Sequence, residues 1–152
     1  MTHVLLPASM LVRRGWSATI VWSALALRGQ GWGHRRIAVA VGVPVGTVRG
    51  WLRRMAGRLE PVRAVFLAAS AAAGIDQPVP VGAGGPWRDM LAAVGAAMAA
   101  ITARFGPAGL LGEVTAAGVA VACSTGRLLS PDWPGRNGSG FATRVAPAEV
   151  QP

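Results

Sequence analysis

Arginine dominates the reactive chemistry available to this sequence. Ten of its fifteen arginines lie between Arg13 and Arg63, and one acid, Glu60, falls among them. The other five arginines and five acids cancel, so the formal net charge of +9 on 152 residues belongs to about one third of the chain. A basic segment beside a neutral remainder points to a partner rich in phosphate, either nucleic acid or an anionic membrane surface. The arginines gather at Arg35–Arg36, Arg49 and Arg53–Arg54, around the nearly apolar stretch IAVAVGVPVGTVRGW at 37–51. The complete absence of lysine reads as the coding bias of a GC-rich genome.

Other chemistries find little support. The six acids, Glu60, Asp76, Asp89, Glu113, Asp132 and Glu149, are scattered over helices, linkers and tail. Both histidines lie within the first 34 residues, and no nucleophile stands beside a base. Cys123 is the single cysteine and sits in an apolar run, so neither a disulfide nor a cysteine zinc site is expected. His34 has no second ligand near it and reads as a helix cap or phosphate contact. The expectation is a non-catalytic protein without metal, cofactor or small-molecule substrate. Six tryptophans read as core residues, with Trp32, in a glycine loop, the one candidate for base stacking.

The elements that must position these residues read as helices. Apolar spacing and capping residues predict helices at 17–29, 34–41, 45–56, 60–74, 87–105 and about 108–123. Ser17 can cap the first. Gly42 sits where a sharp turn needs positive φ, and Pro44 cannot continue the helix before it. Val48, Trp51, Leu52 and Met55 form the buried stripe of the third helix, and Ile37, Val41 and Val43 can face the same core. The Pro/Gly-rich stretch at 75–86 reads as a linker. Leu91, Val94, Met98, Ile101 and Phe105 make an a/d-type stripe, and the short connection after it predicts an antiparallel hairpin over 87–124. Residues 1–15 read as an extended lead-in and 125–152 as an irregular tail.

Residues 34–54, with Ile37, Ala38, Val41, Gly42, Val43, Val48 and Trp51 in place and TVRGWLRR closing the run, resemble the helix-turn-helix of homeodomain-like and transposase or resolvase DNA-binding domains. The resemblance covers roughly residues 3–65 and implies an all-α, three- or four-helix DNA-binding domain over 1–74. In that family a Cys-rich zinc ribbon precedes the THVLLP…RR lead-in, so the resemblance is to a member lacking its N-terminal ribbon. It implies that the second helix of the pair enters the major groove of double-stranded DNA. Val45, Gly46, Arg49 and Gly50 then face base edges, with Arg49 suited to a bidentate contact with guanine. His34, Arg35, Arg36, Thr47, Arg53 and Arg54 would meet phosphates. Val45 and Gly46 offer little hydrogen bonding beyond their backbone N–H groups, so modest sequence specificity and a steep salt dependence are expected. Transposases with such heads hold divalent metals on clustered carboxylates, and the scattered acids here do not fit that pattern.

The resemblance also implies a cytoplasmic, nucleoid-associated protein, with the 87–124 hairpin a candidate homodimerisation element. Two alternatives belong to other classes. In one, the 90–103 and 108–123 segments form a short membrane hairpin with the basic half cytoplasmic. Asp89 and Arg104 close in the first segment, Glu113 interrupts the second, and no run of about 18 apolar residues occurs. In the other, the chain is a non-functional fragment of a mobile element. The lead-in lacks a basic n-region, with no Arg or Lys ahead of its apolar piece, which argues against a signal peptide.

Overall fold

The computed structural model describes residues 16–74, 78, 80–107 and 113–135. Among them are six helices and no strand: α1 (Ala18–Gly29), α2 (His34–Val41), α3 (Val45–Ala56), α4 (Leu59–Ala73), α5 (Pro86–Phe105) and α6 (Ala116–Ser124). The lead-in at 1–15, the linker positions 75–77 and 79, the start expected for the last helix at 108–112 and the tail from 136 lie outside the described residues.

Local chemistry explains the first three helices. Ser17 is extended, and its Oγ accepts the N–H of Ile20 at 3.3 Å, which starts α1. Gly42 ends α2 in the left-handed conformation, φ 67° and ψ 33°. The N–H of Val43 then reaches back to the carbonyl of Ala38 at 3.1 Å, the closure that a left-handed cap permits. Pro44 begins α3 by offering its carbonyl to the N–H groups of Thr47 and Val48, at 3.0 and 3.2 Å.

These three helices share one core. Val21, Ala24 and Leu25 of α1 meet Ile37 and Ala38 of α2, Val43 of the turn, and Val48, Trp51, Leu52 and Met55 of α3, all buried. Val41 is half-buried at its edge. Burying an aliphatic side chain of this size stabilises by roughly 1.5–3 kcal/mol, so the stripe on α3 holds that helix firmly to its neighbours. Trp16 closes the top with its ring edge-on to Trp51, 6.5 Å between centroids.

The second half of the chain departs from expectation in three ways. α5 packs most extensively on α4, not on α6. Its buried residues are Met90, Ala93, Val94, Ala97 and Ala100, while Leu91, Met98 and Ile101 are half-buried and Phe105 is exposed. The small alanine face lets α5 lie close to the longer apolar stripe of α4, where Val62, Phe66 and Ala69 are buried. Arg104, near the end of α5, donates to the carbonyls of Ala72 and Ala73 at the end of α4, at 3.4 and 3.5 Å. The C-terminal ends of the two helices therefore meet, and one cation serves the negative dipole end of α4. Second, α6 begins at Ala116, because Thr115 is extended and its Oγ1 accepts the N–H of Gly118 at 3.0 Å. Residues 113–115 are not helical, so the connection from α5 is longer than a tight hairpin turn. Third, the first part of the tail is irregular but packed: Leu128 and Leu129 are 2% exposed and join the same buried cluster as α1 to α5.

No helix among the described residues is long and apolar enough to cross a membrane. Of the 90–103 segment, Ala93, Ala97 and Ala100 are buried with Met90 and Val94, on a helix that packs chiefly on α4.

Candidate nucleic-acid interface

The outer side of α3 follows directly from its inner one. With Val48, Trp51, Leu52 and Met55 buried, Val45, Gly46, Arg49, Arg53 and Arg54 are exposed, and Thr47 and Gly50 are half-exposed. Spacings of three and four residues place Gly46, Arg49 and Arg53 on one stripe, and spacing of four places Gly50 beside Arg54. Gly50 leaves room there: a Cβ on it would stand 3.5 Å from an Nη of Arg54. α3 has no acid and no side chain capping its N-terminus, so the N–H groups of Val45 and Gly46 lie at an exposed helix start. Val45, 42% exposed, is the apolar group at that end.

On α2, His34 is half-buried at the first helical position, and Arg35 and Arg36 are exposed in the first turn. Arg36 lies over the ring of Trp32, 3.8 Å from its centroid. Trp32 therefore presents one face to a guanidinium, and its role as a free stacking platform gives way to a cation–π contact. Val39, 84% exposed, stands one turn beyond Arg35.

The ten arginines of the basic segment are not equivalent. Arg58 is turned inward. It donates to the carbonyl of Arg54 at 2.9 Å, closing the end of α3, and to those of Leu128, Ser130 and Trp133 in the irregular segment. Burial, and then the charge of Arg54, pulls its guanidinium below the usual arginine range. Arg63 pairs with Glu60 at 3.1 Å, the one ion pair among the described residues. Arg28 donates to the carbonyl of Trp32 at 3.2 Å and lies 6.0 Å from the centroid of Trp87. Arg13 and Arg14 fall outside the described residues. Arg35, Arg36, Arg49, Arg53 and Arg54 remain exposed without a partner acid among the described residues. The spacing on α3 made three of these legible in the sequence. Nothing in the sequence marked Arg58 as structural, because three of its four acceptors lie seventy or more residues away.

The remaining reactive groups are quiet. Burial pushes the Cys123 thiol up to about 11, so it is neutral at physiological pH. No three His, Cys, Asp or Glu side chains come together among the described residues. Against known proteins, no family, no curated sequence and no solved structure shows a significant match to this chain.

Proposed function

We propose that the chain binds duplex DNA without a catalytic step, with α2, the Gly42–Pro44 turn and α3 acting as a helix-turn-helix whose second helix enters the major groove. One observation carries this reading: α3 buries four apolar side chains on one side and exposes Arg49, Arg53 and Arg54 elsewhere, with no acid on the helix. A helix of 12 residues anchored this way can lie in a groove about 12 Å wide. Arg49, near its start, reads guanine, Gly50 lets the backbone approach, and Val45 and Gly46 touch thymine methyls or phosphate through backbone N–H groups. Arg53, Arg54, Arg35, Arg36, His34 and Thr47 hold phosphates. Because the reading end is poor in polar side chains, affinity comes mainly from counterion release. Pairing of two half-sites needs a second copy, and Phe105 is the large apolar side chain that α5 leaves exposed for it.

The test is fluorescence anisotropy with a random duplex and with duplexes selected from a random pool, over a range of salt. The expected result is binding at low salt that weakens steeply as salt rises, with Arg49→Ala erasing the preference for selected duplexes. Absence of duplex affinity at low salt refutes the proposal.

A further inference from the structure

Away from α3, the end of α1 and the start of α5 border a cavity of about 460 Å³ that is widely open to solvent. Arg28 and Arg88 both line it, together with Trp87 and the backbones of Gly31 and Gly84. No acid is among its lining residues. The nearest acid in sequence, Asp89, accepts the backbone N–H of Ala83 at 2.5 Å.

Each guanidinium is held by one carbonyl, and neither pairs with an acid among the described residues. Arg28 gives one Nη to Trp32 at 3.2 Å, and Arg88 gives its Nε to Gly29 at 3.1 Å. Each guanidinium carries five N–H donors, so most remain for a ligand. Gly84, at φ +99°, holds a backbone conformation that favours glycine beside Arg88. Trp87 supplies an aromatic wall, with the Arg28 guanidinium 6.0 Å from its ring centroid. Two guanidiniums lining one cleft suit an anion with several acceptor oxygens, which can accept N–H donors from both. The contacts also run on to α2, since Trp32, which holds Arg28, carries Arg36 on its face. Arginine and tryptophan thus alternate from α5 to the first turn of α2.

We propose that this cavity binds a phosphate group, with Arg28 and Arg88 as paired guanidinium donors and Trp87 as the flanking wall. The phosphate can come from a nucleic-acid backbone or from a free phosphate or nucleotide, and the chemistry of recognition is the same for each. The site uses none of the α3 residues and stands independently of the groove reading.

The test is amide and indole NMR of the full chain titrated with inorganic phosphate, with a mononucleotide and with a short duplex, sodium chloride balancing ionic strength. Saturable shifts at Gly31, Gly84, Arg88 and the Trp87 indole are expected. Arg28→Gln and Arg88→Gln should each weaken the response about tenfold, as loss of one charge-assisted contact does, with thermal melts confirming that both variants fold. A response to phosphate or nucleotide alone identifies a small anion as the source. A response to duplex only, weakened in Arg88→Gln, identifies the nucleic-acid backbone. No response at these signals to any of the three, or shifts unchanged in both variants, overturns the proposal, and the wild-type map decides this even without a folded variant. A cavity that takes phosphate in a chain that ignores duplex refutes the groove reading and leaves this one standing.

Discussion

Arg53→Ala and Arg58→Ala remove the same charge five residues apart, yet the structure assigns them opposite consequences. Arg58 is half-buried and donates to four carbonyls, those of Arg54, Leu128, Ser130 and Trp133. Water can replace the donor at part of this cage, so the full worth of four charge-assisted bonds is not lost. Counting two at about 1.5 kcal/mol each gives a destabilisation of about 3 kcal/mol. For a chain of this size that lowers Tm by roughly 6–12 °C. Arg53 is exposed, and its side chain makes no hydrogen bond within the described residues. Its removal trades a small dipole interaction at the helix end against the better helix propensity of alanine, a change within about 0.5 kcal/mol. If the chain binds duplex DNA as proposed, the order reverses there. Loss of one phosphate contact makes the slope of log K against log salt shallower by about 0.9, which is expected for Arg53→Ala. Arg58→Ala should leave that slope unchanged while the protein is folded. Differential scanning calorimetry and a salt series of anisotropy titrations measure both quantities. An Arg58→Ala protein that melts like the wild type and loses salt dependence would show that the sorting of arginines into inward and outward is wrong.

Three further outcomes follow from the same structure. Gly42→Ala places a side chain at φ 67° where nothing lies within 4 Å of the added Cβ, so the cost is conformational alone, about 1–2 kcal/mol, read as a lower urea midpoint with unchanged slope. Cys123 is raised to about 11 from 9.0 by burial. The unfolded chain therefore loses its thiol proton first, and stability declines as pH rises from about 9 towards 11, by up to about 2–3 kcal/mol. Chemical denaturation across that range should show the decline in the wild type and not in Cys123→Ala, and thiol reagents should react slowly below pH 9 until the protein unfolds. Arg49→Lys keeps the charge but removes the planar fork, so it should hold the salt slope near the wild-type value while reducing discrimination between guanine and other bases. Unaltered discrimination would remove Arg49 from base reading.

The sequence by itself determined the stretch from His34 to Ala56. Its two helices lie where the pattern puts them because the main causes are local: a left-handed glycine, a proline that cannot continue the helix before it, and apolar residues spaced three and four apart. The same periodicity made the exposure of Arg49, Arg53 and Arg54 legible, since burying one side of a helix exposes the other. The tertiary structure decided what those local rules cannot reach. It chose α4 as the main partner of α5, because close approach depends on Ala93, Ala97 and Ala100 matching a face elsewhere in the chain, and the larger residues of the stripe did not show it. It turned Arg58 into a clasp for residues 128–133 and set Arg28 beside Arg88 across sixty positions of sequence. Net charge adds along a chain without regard to order, but whether a given guanidinium is satisfied or free depends on which distant carbonyls and acids folding brings within about 3 Å of it.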